Sequence, residues 1–304
     1  MLAEMRPALR RFAPTAASAA TGVQVGAAIV ATRFVIGQTS PASLALLRYA
    51  IGFCCLLPPA LLTRRVRLER RDLLPIALLG IVQFGVVVAL LNFALQHISS
   101  TRTALIFATF PLLTMLLAAA LGTERLTLAK SLGVLVTLLG VGLALAEKAL
   151  TGNSASHEWV GALAVFASAV SGALCSVLYR PYVRKYPTLP VSAFAMLAAV
   201  GFLAVLAAGE GFFRALPRFT AQGWLAVVFI GVGSGVGYFL WLWALGRTTP
   251  TRVTVFLALS PVTAAGLGAA FLGEQITPLT LAGLACVACG LWLAHRPPRV
   301  ALVV

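Results

Sequence analysis

The strongest constraint on this chain is the length of its apolar runs: roughly 20 residues each, repeated along all 304 positions, with short charged joints between them. A helix of that length spans a hydrocarbon core near 30 Å. Lipid offers no partner to backbone N–H and C=O groups, so a spanning segment must satisfy its own, and continuous apolar runs do so as helices. Ten such spans can be read, at 16–37, 42–63, 73–96, 100–121, 128–146, 159–180, 189–209, 221–245, 250–271 and 278–295. Breakers mark the joints: Ser40-Pro41, Gly152-Asn153, Pro187 with Pro190, and Pro217. Composition agrees, with 60% hydrophobic and 10% charged residues and a mean hydropathy of +0.98. Soluble domains are about half apolar and a quarter charged. The fold class expected is an all-α membrane protein with ten transmembrane helices.

The net charge of +15 is a matter of placement and not of nucleic-acid binding. With the amino terminus in the cytoplasm, seventeen Lys and Arg residues fall on the cytoplasmic side. Only Arg102, Lys148, Arg214 and Arg218 fall outside, and Arg33 and Arg48 lie within spans. By the positive-inside rule both termini are then cytoplasmic, in the inner membrane of a cell. The run "RRVRLERRD" (64–72) reads as an orientation signal and an anchor to anionic lipid. The first span is long and leads into nine more, so it reads as a retained helix and not a cleaved leader. All five cysteines lie in spans, and "CVAC" (286–289) has no second pair to complete a zinc site. No metal or cofactor is expected.

Residues 101–127 and 251–277 repeat one another at an offset of 150 without a gap, sharing Thr101/Thr251, Arg102/Arg252, Pro111/Pro261, Glu124/Glu274 and Thr127/Thr277. The match continues through Gly133/Gly283 and Gly140/Gly290. The chain therefore reads as two five-span halves, 1–148 and 149–304. Five is odd, so the second half enters the membrane inverted. Inverted repeats are an architecture of secondary transporters, with the substrate near the midplane between the repeats. Pro111 and Pro261 fall about midway along their spans, and each denies a bond to a carbonyl four residues back. A packing kink and a matched pair of hinges both fit this placement. Glu124 and Glu274 sit at span ends, where each carboxylate is expected to accept from the first amides of the following helix.

"NFALQHISSTRTALIFATFPLLTMLLAAALGTERLTLAKSLGVLVTLLGVGLAL" resembles the EamA-like repeat of the drug/metabolite transporter superfamily. "SPASLALLRYAIG" (40–52) is similar to that family's second span, with Arg48 at its characteristic arginine. The resemblance covers essentially the whole chain as two repeats. It implies a ten-helix fold, both termini inside, and export of small metabolites such as amino acids. The first span departs from the family in lacking a tryptophan near its start, and Arg48 has no counterpart in the second half.

A pathway through lipid-embedded helices shows itself as polar or aromatic residues at mid-span. In the sixth span Ser168, Ser171, Cys175 and Tyr179 share a face, spaced 3, 4 and 4. The fourth offers Thr103, Phe107, Phe110 and Thr114. Gln24 and Gln83 lie near midplane depth, Tyr238 and Trp241 in the eighth span, and Ser260 beside Pro261. Each serine has a plainer role in close helix packing. "GVGSGVG" (231–237) follows no strand, so it reads as helix packing and not as a dinucleotide loop. Trp243 belongs with the interfacial aromatic belt.

No Asp or Glu falls within a span interior. Intramembrane carboxylates are the usual proton relays and cation counter-charges, so drug-cation efflux through a buried glutamate is disfavoured. Arg33 is placed to attract an anionic group, and Arg48 to snorkel or hold a neighbouring carbonyl. The function expected is alternating-access export of a small neutral or zwitterionic metabolite, amino acids and aromatic ones among them, with the bilayer and that substrate as partners, the oligomeric state open and a monomer compatible with it. A lipophilic-drug exporter of the same fold is the alternative. A lipid-modifying enzyme would need an acidic or His/Asp centre, whereas His97, His157 and His295 are scattered at span ends.

Overall fold

The computed structural model describes residues 7–62, 68–123, 127–150 and 158–295, and among them every regular element is helical. In chain order the helices are α1 (Pro7–Val35), α2 (Pro41–Leu62), α3 (Arg70–His97), α4 (Ser100–Ala120), α5 (Leu128–Leu150), α6 (Glu158–Lys185), α7 (Thr188–Gly209), α8 (Ala221–Leu245), α9 (Pro250–Leu272) and α10 (Pro278–His295). Eight are long and apolar enough to cross a bilayer. In α5 and α10 the qualifying apolar stretches are shorter, Ser131–Gly140 and Pro278–Gly290. Large apolar side chains point outward from most helices, among them Leu139, Val205, Leu225 and Phe271. Water would not tolerate such a belt; lipid covers it.

The packing is the same when the halves are exchanged. Helix α1 packs on α8 and α9, as α6 packs on α3 and α4; α2 meets α7 and α8, as α7 meets α2 and α3; α5 packs along α10. The matched glycines state this most sharply. A Cβ on Gly140 would lie 2.6 Å from the carbonyl oxygen of Gly283, and one on Gly290 2.4 Å from that of Gly133. Because 133/283 and 140/290 are the repeat-related pairs, these two approaches are one contact made twice.

Four helices are interrupted, α6 among them at Tyr179, between Glu158–Leu178 and Arg180–Lys185. Helix α3 passes through a π segment, Ile81–Val86, which carries Gln83. Helix α4 turns at Ala108 and Thr109, where the amide of Thr109 donates to the carbonyl of Ile106 (3.0 Å), and resumes at Phe110. Helix α9 tightens to a 3₁₀ turn over Val255–Ala258. Pro111 and Pro261 thus stand in the first turn of each resumed helix, where a missing N–H is harmless. The helices break ahead of the prolines instead of bending around them. Gly122 and Gly273 end α4 and α9 in the left-handed region, at φ 67° and 64°, which favours glycine.

The role expected of Glu274 needs correction. Its carboxylate does not reach the start of α10. It caps α4 in the other half, accepting from the amide and hydroxyl of Ser100 (2.8 and 2.7 Å) and of Thr101 (3.1 and 2.6 Å). The first turn of α4 has buried donors with no intrahelical partners, and the α9–α10 joint lies against it. Glu210, at the end of α7, caps α2 in the same way through the amides of Ala42 and Ser43 (3.0 and 2.8 Å). Burial pushes both carboxyls up, but these donors outweigh it and hold both below the usual glutamate range. Glu124 lies outside the described residues.

Candidate functional site

One cavity of about 90 Å³ lies where α1, α2, α3, α4 and α8 converge, with Leu257 of α9 at its edge. Its wall includes Gln24, Gln83, Phe107, Phe110, Tyr238 and Trp241, six of the ten residues expected to meet a substrate. The other four lie outside that wall. Ser168 donates to the carbonyl of Val87 on α3 (2.8 Å), and Cys175 on the same face of α6 approaches that of Leu79 (3.8 Å). The polar face of α6 therefore serves the α3 backbone on either side of the π segment. Ser171 is half-buried, Ser260 is buried, and Tyr179 is fully buried behind Tyr238, ring centroids 6.3 Å apart. Thr103 and Thr114 donate to carbonyls of their own helix, those of Ser99 and Phe110.

Aromatic rings form a continuous wall. Tyr49 meets Phe84 at 4.8 Å, Phe84 meets Tyr238 at 4.0 Å, and Tyr238 meets Trp241 at 5.4 Å. Within this wall Nε2 of Gln24, Oε1 of Gln83, the hydroxyl of Tyr238 and Nε1 of Trp241 are buried without hydrogen-bond partners. Such groups are rare in packed interiors, because each forfeits its hydration. Four around one cavity mark a place built to be filled.

Several wall residues escaped sequence reasoning: Tyr49, Phe84, Asn92 and Ser234. The "GVGSGVG" stretch does pack helices closely, since a Cβ on Gly235 would sit 2.8 Å from the carbonyl oxygen of Gly52. It also makes the site. A Cβ on Gly237 would meet Oε1 of Gln24 at 2.7 Å, so the missing side chain is what admits the Gln24 amide. Ser234, between two of those glycines, accepts from Nε of Arg48 at 2.5 Å. Asn92 donates to the carbonyl of Pro41 (2.9 Å) and ties α3 to the start of α2.

The two intramembrane arginines differ. Arg33 donates to the carbonyl of Leu95, near the end of α3, where a cation suits the helix terminus. Arg48 faces the cavity, and among the described residues no other Lys, Arg, Asp, Glu or His lines it. Trp243 lies under the Arg247 guanidinium at 3.9 Å.

Two helical repeats around one aromatic and amide-lined cavity, in a shell suited to lipid, are the architecture of a membrane transporter. The EamA-like transporter family matches the chain twice, over residues 16–146 and 159–296, and the chain belongs to that family of the drug/metabolite transporter superfamily. A probable terminal-alkyne amino-acid exporter of Streptantibioticus cattleyicolor is 31% identical over 233 residues, 76% of this chain and 75% of its own. A biotin transporter of Salmonella typhimurium is 28% identical over 225 residues, 72% of each chain. An uncharacterized transporter of Archaeoglobus fulgidus is 26% identical over 273 residues, 89% of this chain and 94% of its own. A crystal structure with 24% identity covers 92% of this chain and 96% of its own at a TM-score of 0.73, which shows the shared fold.

Proposed function

We propose that this transporter exports small neutral or zwitterionic metabolites, amino acids and aromatic ones among them, by alternating access between halves 1–148 and 149–304. The observation that carries this is the set of unpartnered polar atoms on Gln24, Gln83, Tyr238 and Trp241 around a cavity between the repeats. A substrate stacks on the aromatic wall, with Phe107 and Phe110 beside the break in α4, and bonds to the amides. Rocking about the interrupted helices, with Pro111 and Pro261 as hinges, then exposes it to the other side. The relatives named for amino-acid export and biotin transport support a small organic cargo. The charge bias of the joints supports an inner-membrane protein with cytoplasmic termini.

The test is a panel of radiolabelled amino acids and nucleosides in proteoliposomes, with and without a pH gradient. At least one amino acid should accumulate against the empty-vesicle control. Gln83→Ala or Tyr238→Phe should lower its rate while leaving insertion intact. Movement of lipophilic dyes alone would replace this function with multidrug export. Unchanged rates in both variants would remove the cavity from the pathway.

A further inference from the structure

The cavity holds a full positive charge, and among the described residues no carboxylate lines it to balance that charge. Arg48 lies seven residues into α2, about 10 Å along the helix axis. Its Nε is bonded to Ser234 and its guanidinium carbon stands 5.4 Å from the centre of the Tyr49 ring. A guanidinium has five N–H donors, and Arg48 lines the cavity with Nε alone seen in a hydrogen bond among the described residues. The described carboxylates whose contacts are seen are all engaged elsewhere. Glu210 and Glu274 cap helices, Glu158 pairs with Arg102, and Glu69 and Asp72 pair with Lys185. Intramembrane charges are tolerated when they meet a partner or a function.

The unpaired groups around Arg48 lean the same way. Nε2 of Gln24 and Nε1 of Trp241 are donors, and the Tyr238 hydroxyl also donates. Among the buried unpaired atoms of the described lining residues, Oε1 of Gln83 alone is a pure acceptor. We infer that the cavity takes its substrate by a carboxylate seated on Arg48 and does not require a charged amine on it. The substrate class is then organic carboxylates with an aromatic or apolar body, amine-free and N-acylated acids included, alongside free amino acids. Two terminal N–H donors in a planar fork match the two oxygens of a carboxylate. An ammonium without a carboxylate meets a like charge and one amide oxygen. This rests on the transport function proposed for the same cavity, but binding alone can judge it.

The experiment uses the full chain in lipid nanodiscs and three probes of matched body: phenylalanine, N-acetylphenylalanine and phenylalaninamide. Intrinsic tryptophan fluorescence and the shift in melting temperature report binding; uptake into proteoliposomes runs in parallel. Both acids should bind the wild type at least tenfold more tightly than the amide. Arg48→Gln should erase that preference. So should Ser234→Asp, which keeps Arg48 in place and gives it an internal carboxylate. Wild-type binding of the amide as tight as that of the acids, including no binding of any of the three, overturns the inference whatever the variants do. So does an acid preference that survives in a folded Arg48→Gln or Ser234→Asp protein. Acid-selective binding without uptake would sink the transport function and leave the carboxylate site standing. Uptake without acid preference would do the reverse.

Discussion

Glu274→Ala removes a joint between the two halves at a single carboxylate. In the native chain the α4 start is fully served: Glu274 takes the Ser100 and Thr101 amides, and Ser99 takes the Arg102 amide at 3.4 Å. Ser100 is fully buried and Thr101 nearly so, so the truncation strands two amides away from water. Each stranded donor costs about 1–3 kcal/mol. The two hydroxyls can turn to their own helix carbonyls, as Thr103 does, and add little. Glu274 is half-buried, so water entering its place recovers part of the loss. The net expectation is about 2 kcal/mol for Ala and about half that for Gln, which keeps one acceptor oxygen. At roughly 2–4 °C per kcal/mol for a chain of a few hundred residues, the Ala variant should melt about 4–8 °C lower in nanodiscs. The sign of the pH dependence follows. A carboxyl held below its ordinary range contributes stability that is complete above that range and is lost as pH falls through the lowered value. The melting gap between wild type and Glu274→Ala should therefore be flat near neutrality and close on acidification. A gap under a degree at pH 7, or one that widens in acid, would refute the latch.

Glu210→Ala strands the amides of Ala42 and Ser43 at the start of α2 and should lower the melting temperature to a similar extent, additively with Glu274→Ala because the two caps share no partner. Gly140→Val and Gly290→Val each force a side chain into a backbone approach of 2.6 or 2.4 Å. Each should cost about 1–3 kcal/mol, measured as melting temperature, whereas Gly142→Ala meets open space and should be nearly neutral. On the proposed mechanism Pro111→Ala and Pro261→Ala should slow turnover in proteoliposomes severalfold with substrate affinity little changed, because neither proline lines the cavity while each follows an interruption proposed as a hinge.

Some of this was written in the chain and some was not. Run length placed the helices, since a hydrocarbon core dictates it, and the offset of 150 announced the duplication. The Gly133/Gly283 and Gly140/Gly290 matches extended that duplication, and the structure shows them to be the α5–α10 seam. Of the face read as Ser168, Ser171, Cys175 and Tyr179, Ser168 and Cys175 meet one neighbour. Spacing says which residues lie together and not what they lie against, and the neighbour proved to be the α3 backbone. The π segment at Gln83 changes hydrogen-bond partners by one residue and leaves no mark in composition. Glu274 reaches Ser100 across 174 positions, a contact made by packing of the halves that no local pattern encodes. The Arg48–Ser234 pair was hidden for the same reason: each residue had a plain local role, and only the crossing of α2 and α8 turned them into a charged site.

The central claim is that the two halves face opposite ways across the bilayer around one cavity. Thr123, between α4 and α5, and Gln275, between α9 and α10, are both exposed and occupy equivalent joints of the two halves. In a cysteine-free background, Thr123→Cys and Gln275→Cys should react with a membrane-impermeant maleimide from opposite sides: the Gln275 position in intact cells, the Thr123 position only once the membrane is opened. Labelling of both from the same side would contradict the inverted duplication and remove the basis for transport by exchange of the halves.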